Sequence, residues 1–290
     1  MTETNMDPTT RRSAITLYDR FTHGLIERRE FMARMVRLTG SAAAANLLIG
    51  TIAARADAKP LVDPADKRLT ISSHEVAGTK TYVAELRNHS LKPTVVVVHE
   101  NRGLNEHTRD VARRLAIAGF RAVAVDFLSK MGGTPTDEDK AREMIGKLDL
   151  AQASADGVAI IQALKGSSRG GKVGVVGFCW GGGMVNRLAV AAGDALDACV
   201  VYYGPAPVPA EAVTVAAPLT IHLAGLDTRI AETEFPWITA LRAAGKTVAY
   251  FDYPEVNHAF NNDTSAERYN AAAASLAWGR TLRFFRRTLR

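Results

Sequence analysis

The sequence predicts an α/β protein with a mainly parallel, doubly wound sheet flanked by helices. Three observations carry this. From Lys67 onward, apolar runs of strand length alternate with stretches of helical periodicity. One run, Thr94-Val95-Val96-Val97-Val98-His99, is continuously β-branched up to its last residue, the signature of a strand buried on both faces. A third run, Val173-Gly174-Val175-Val176, leads into Gly177-Phe178-Cys179-Trp180-Gly181, and Gly182-Gly183-Met184 then opens a helix.

In chain order, Leu69 to Val76 and Lys80 to Leu86 read as two strands joined at Ala77-Gly78-Thr79. After the strand at 94–99, Val111, Leu115 and Ala118 recur at helical spacing over Thr108 to Ala118, and Gly119 ends that helix. Arg121 to Phe127 is the next strand, and Lys130 to Asp137 is a loop rich in Gly, Pro and Thr. Asp139 to Lys165 carries one or two helices. Val173 to Phe178, Cys199 to Tyr203, Leu219 to Ala224 and Val248 to Tyr253 are strands, and Ala271 to Leu289 is a terminal helix. No repeat and no Pro/Ser-rich linker follows residue 60, so residues 59–290 read as one domain.

The 290 residues, 47% hydrophobic and 23% charged, suit one sizeable domain with a short appendage. Part of the net charge of +6 lies in the last segment, Arg280 to Arg290. Its apolar residues recur at helical spacing, which makes it an amphipathic helix with a solvated basic face. No nucleic-acid motif accompanies it. Two cysteines cannot build a disulfide framework. Cys199 sits in the buried-strand pattern Ala198 to Tyr203 and reads as a structural thiol. The histidines lack paired-ligand spacing and no dinucleotide fingerprint appears, so neither metal nor cofactor is expected.

Residues 1–58 read as a leader, partly disordered or helical. Arg28-Arg29-Glu30-Phe31-Met32 is followed by a modest apolar run from Gly40 through Ala54, then by Ala54-Arg55-Ala56 and Ala56-Asp57-Ala58. Paired arginines, an apolar stretch and small-x-small sites resemble a twin-arginine export signal, which implies a periplasmic or exported protein and transient contact with export machinery. The alternative is a cytoplasmic helix that packs on the domain or on a partner subunit. The apolar run is interrupted and short of the ~20 residues of a membrane span.

The strand–turn–helix around Cys179 has the form of a nucleophile elbow, with a thiol at its apex. Glycines two positions to either side relieve crowding in a strained turn. The helix N-terminus favours an anion there, and a thiol of ordinary pKa about 8.5 becomes a better nucleophile when such a site lowers it. In a parallel sheet, catalytic groups gather at the carboxyl ends of the strands. Asp227 follows the strand Leu219 to Ala224, and His258 follows the one ending at Tyr253-Pro254. His258 would take the thiol proton, and Asp227 would hold its ring in the right tautomer. His99-Glu100-Asn101-Arg102-Gly103 is a fourth post-strand loop. The backbone N–H groups of Asn101 and Trp180 would form an oxyanion hole there. Glu100 sends a carboxylate toward the same cleft.

Together these residues resemble the dienelactone hydrolase (carboxymethylenebutenolidase) family of the α/β-hydrolase fold, from about Leu69 to the C-terminus. The anchors are Val97 to Asn105, Val125-Asp126-Phe127, Val175 to Gly182, Tyr202-Tyr203-Gly204 and Tyr253 to Phe260. The resemblance implies a Cys179–His258–Asp227 triad, with Glu100 assisting formation of the thiolate when substrate binds. It implies a carboxylic ester hydrolase that passes through an acyl-thioester on a small ester or lactone. The family's two carboxylate-binding arginines fall here at Lys130 and Asn262. Lysine keeps the charge without the bidentate fork, and asparagine has no charge, so dienelactone itself is not the expected substrate. Arg102 is a further candidate substrate cation. The alternative is a non-catalytic or thiol-dependent acyl-binding or acyl-transfer protein on the same fold. A monomer or small homo-oligomer is expected.

Overall fold

The computed structural model describes residues 7–22, 24–53, 60–87, 92–167 and 171–290. Eight strands form one sheet: β1 (Leu69–Val76), β2 (Thr79–Leu86), β3 (Thr94–Val98), β4 (Arg121–Val125), β5 (Val173–Phe178), β6 (Ala198–Tyr202), β7 (Leu219–Ala224) and β8 (Val248–Tyr253). Their spatial order is β1-β2-β4-β3-β5-β6-β7-β8. The pairs β1·β2 and β2·β4 are antiparallel and every other pair is parallel. The mainly parallel sheet is thus as expected, with an antiparallel hairpin at one edge. β3, β5, β6 and β7 are buried along their whole length, as expected of strands in the middle of a parallel sheet covered on both faces.

Helices cover both faces of the sheet. On one face lie α4 (Glu106–Ile117) and α9 (Ala271–Thr288), packed on Val95, Val97, Val200 and Tyr202. On the other lie α6 (Leu150–Lys165), α7 (Trp180–Ala191) and α8 (Thr228–Ala243), packed on Val96, Val98, Val175 and Val201. α5 (Glu138–Gly146) closes a smaller cluster through Ala141 and Ile145 against Leu128. α9 buries Thr281, Phe284 and Phe285 while Arg286 and Arg287 stay exposed, which fits the amphipathic reading.

Three departures from the sequence reading have local causes. α4 begins at Glu106, two residues early, because the Asn105 side chain accepts the Thr108 N–H at 3.1 Å and caps the helix. β4 ends at Val125 because the Asp126 carboxylate instead accepts the N–H groups of Leu128 and Thr134, turning the chain. The sequence pattern assigns no element to 228–243, where the structure forms α8. Pro236 lies inside α8, and proline disrupts a helical signal.

The amino-terminal segment is helical where described: α1 (Pro8–Thr22), α2 (Arg28–Thr39) and α3 (Ala42–Ala53). They share a small core of their own that includes Ile15, Tyr18, Phe31, Met35 and Ile52. Among the described residues, no single helix is long and apolar enough to cross a membrane; α2 and most of α3 pass only as a pair bent by 107°. The small-x-small sites at 54–58 lie outside the described residues.

Candidate active site

Cys179 terminates β5 and caps α7 with φ 55° and ψ −116°. A β-carbon suffers steric strain at such a positive φ, so the turn persists because its surroundings dictate it. The Cys179 N–H donates to the Tyr202 carbonyl at 3.0 Å, and the Gly183 N–H donates back to the Cys179 carbonyl at 3.1 Å. Glycine is obligatory on both flanks for want of space. A Cβ at Gly177 would stand 2.1 Å from the Gly181 carbonyl oxygen, and one at Gly181 would stand 2.4 Å from that of His99. Gly181→Ala is therefore expected to cost about 2 kcal/mol or more, seen as a thermal midpoint lowered by about 4 °C or more in calorimetry. An unchanged midpoint would mean that the elbow has slack.

Four other post-strand loops, after β3, β6, β7 and β8, meet this turn. Apart from Ala77 in the edge hairpin, the described non-glycine residues with positive φ are Cys179, Tyr203, Glu255 and Ala259, all on loops after β5, β6 and β8. Strain thus gathers where the loops converge. The His258 Nδ1–H donates to Asp227 Oδ2 at 2.5 Å, and both side chains are nearly buried. Asp227 is fixed in turn, because its Oδ1 accepts the Ile230 N–H at 3.3 Å as the N-cap of α8. The Cys179 thiol also interacts electrostatically with the His258 ring.

These contacts set the electrostatics. Burial alone would lower the His258 pKa, but Cys179 and Asp227 outweigh it and raise it to about 10. Burial would raise Asp227, but the His258 ring, with Arg229 3.8 Å away, holds its carboxyl below the ordinary value. For His258 the folded pKa lies above the unfolded one. Its contribution to stability is therefore complete below pH about 6.5 and is lost as pH rises through about 10. Cys199, fully buried in β6, has its thiol pKa pushed far up by desolvation.

The loop after β3 is held from below by His99. Its Nδ1–H donates to the Glu100 carbonyl at 2.7 Å and its Nε2 accepts the Phe127 N–H at 3.3 Å. Burial lowers the pKa of this ring, which suits a neutral histidine. Its face stacks on Trp180 at 5.3 Å. The Glu100 carboxylate accepts from Tyr203 Oη at 3.2 Å and from Asn262 Nδ2 at 2.6 Å. A cavity of about 30 Å³ has Glu100, Asn101, Cys179, His258 and Asn262 in its wall.

The structure therefore brings Cys179, Asp227, His258, Glu100, Asn101 and Trp180 to one end of the sheet. Arg102 lies at the same cavity, paired with Glu138, and its other arm donates to Tyr18 Oη at 3.2 Å. Asn262 orients Glu100. Lys130 is placed elsewhere: it is exposed and its Nζ donates to Asp156 at 2.6 Å, outside the cavity wall. Two residues of the site escape the sequence reading. Tyr203 stands edge-on to the His258 ring at 5.0 Å and holds Glu100; its place in the segment Tyr202-Tyr203-Gly204 was its only signal. Arg268 also lines the cavity, with Ser265 and Asp19 as partners.

Comparison with known proteins finds relatives along most of the domain. The model of the dienelactone hydrolase family matches residues 79–289. A provisionally named carboxymethylenebutenolidase of Methylorubrum extorquens is 35% identical over 211 residues, covering 67% of this chain and 72% of the relative. One from Escherichia coli K12, also provisionally named, is 32% identical over 212 residues, covering 67% and 76%. The crystal structure of a provisionally named dienelactone hydrolase from Klebsiella pneumoniae superposes with a TM-score of 0.67 at 28% identity, covering 75% of this chain and 98% of that one.

Proposed function

This chain belongs to the dienelactone hydrolase family, a class of carboxylic ester hydrolases with the α/β-hydrolase fold, and from that premise we propose that it cleaves a small ester or lactone with Cys179 as its nucleophile. The observation that carries the proposal is the continuous chain from the Cys179 thiol through His258 to Asp227, assembled from loops after β5, β8 and β7.

In this reading Cys179 and His258 form a thiolate–imidazolium pair. The sulfur attacks the carbonyl carbon, and the oxyanion meets the N–H groups of Trp180 and Asn101. Trp180 is the first residue of α7, so the helix itself leaves its N–H unused. His258 then passes its proton to the departing alkoxide, leaving an acyl-thioester. Water, deprotonated by His258, attacks that thioester and regenerates the thiol. Glu100 tunes the thiol from the position that Tyr203 and Asn262 give it. Because Asn262 is committed to Glu100 and Lys130 to Asp156, we propose a substrate other than dienelactone.

The test is a panel of lactones and short-chain p-nitrophenyl esters, before and after iodoacetamide. Alkylation is expected to abolish hydrolysis, since Cys199 is buried and its raised pKa keeps it unreactive. Full turnover by the alkylated protein would contradict the proposal. The pH profile gives a second check. Proton donation needs the imidazolium, so kcat/KM is expected to hold across neutral and mildly alkaline pH and to fall above about 10. A decline centred near the ordinary histidine pKa would remove the ion pair from the mechanism.

We also propose export through a twin-arginine route. Its support is the paired Arg28 and Arg29, exposed at the first turn of α2. Fractionation of the native host tests it: recovery in the periplasm or medium is expected, and recovery only in the cytoplasm would refute it.

A further inference from the structure

The end of α1 sits on the loops that carry the candidate active site. The Asn101 side chain donates to the Thr22 carbonyl at 3.2 Å, and Arg102 donates to Tyr18 Oη at 3.2 Å. Arg268 donates to Asp19 at 2.9 Å in an ion pair whose two side chains are each 12% exposed. Arg11 pairs with Glu267 further out. These contacts fix the helix to the oxyanion loop on one side and to the segment after His258 on the other.

From there the chain descends through Leu25 and Ile26 into α2, and its inner side faces a groove of about 740 Å³. That volume is in the range of sites that take a small organic molecule. Cys179 and His258 lie at the groove, with Trp180, Pro205 and Leu148 along the domain side and Leu25 and Ile26 on the amino-terminal side. Leu25 is 51% exposed, a large apolar side chain directed at open space rather than into the small core of α1–α3. Phe21 anchors the bend by stacking on Phe31 at 4.5 Å, and the Arg142 guanidinium lies 5.0 Å from its ring centre.

We propose that residues 21, 22 and 24–28, in the segment that reads as a leader, form one wall of the substrate groove and give the enzyme its preference for esters with an extended apolar arm. The inference rests on Cys179 being the nucleophile. It takes the groove as the path of the apolar arm, and the smaller cavity at Glu100 and Asn262 as the polar end of the site. It also requires that the active chain keep residues 21–28, which cleavage at 54–58 would detach.

The experiment compares kcat/KM for p-nitrophenyl octanoate and acetate in the full chain. The wild type is expected to favour octanoate. In Leu25→Trp, which fills the groove, and in Leu25→Asp, which charges its wall, the octanoate-to-acetate ratio is expected to drop about tenfold. Leu47→Trp, on the exposed face of α3 and 62% exposed, is expected to leave the ratio as it is. Equal losses on both esters, or an unchanged ratio in both Leu25 variants, would overturn the wall. A wild type that hydrolyses neither ester, or whose Cys179→Ala form hydrolyses both, would overturn the reading of the nucleophile beneath it. The two failures are thus told apart.

Discussion

Cys179→Ala is expected to lower kcat/KM for a short-chain ester by about 10³-fold or more, with the fold and melting temperature close to wild type. The alanine keeps the small volume at the apex of the elbow and leaves in place the Trp180 and Asn101 N–H groups that the proposed mechanism assigns to the oxyanion. Only the attacking atom is lost, and the residual rate is that of oriented water. Cys179→Ser is the sharper variant. It restores an attacking oxygen in the same strained turn, yet it is expected to remain at least about 10²-fold below wild type. In the proposed mechanism His258 and its surroundings stabilise a thiolate–imidazolium pair, and a serine hydroxyl is far harder to deprotonate than a thiol. Single-turnover assays across pH 6–10 would read both effects. A serine form that matches or exceeds the cysteine form would show that the site is tuned for general-base activation of an oxygen.

Asp227→Asn is expected to cost about 10⁴-fold in kcat, the scale seen when a buried triad carboxylate becomes an amide. The structural reason is specific to this loop. Asp227 has two jobs, with Oδ1 capping α8 and Oδ2 accepting from His258 Nδ1. Asparagine caps a helix as well as aspartate does, so α8 should begin as before. The amide that replaces Oδ2 donates where the carboxylate accepted, which turns the imidazole to the wrong tautomer and removes the charge that supports the imidazolium. Stability at neutral pH should fall far less than activity. His258 should also lose much of its raised pKa, since Asp227 is one of the groups that raise it. Ring-proton NMR titration checks this shift, and a histidine pKa unchanged in the variant would mean that Cys179 alone sustains it.

Much of the domain was legible because its strands are buried on both faces. Unbroken runs such as Val95 to Val98 leave little ambiguity, and β5, β7 and β8 fall where the pattern puts them. Cys179 was legible because the turn it occupies excludes any Cβ at Gly177 and Gly181, so the geometry writes itself into the sequence as glycine. Asp227 and His258 were legible as polar residues just past strand ends. Residues that act by reaching across the fold left no such mark. Asn262 holds Glu100 from 162 positions away, and Arg268 meets Asp19 from 249 away. Tyr203 looked like a continuation of its strand. The amino-terminal helices were the hardest to read. Their weak apolar pattern suits both a leader and a layer packed on a domain, and the contacts that Tyr18, Asp19 and Thr22 make with the domain left no mark in it.

The central claim is that an ester carbonyl is attacked by the Cys179 sulfur. Rapid mixing with p-nitrophenyl acetate, an acid quench and peptide mass spectrometry test it most directly. The prediction is one acetyl group, removable by neutral hydroxylamine, on the peptide that contains Cys179, appearing with the burst of nitrophenolate and missing in Cys179→Ala. A burst without acyl on that peptide, or acyl on another residue with turnover intact in Cys179→Ala, would contradict it.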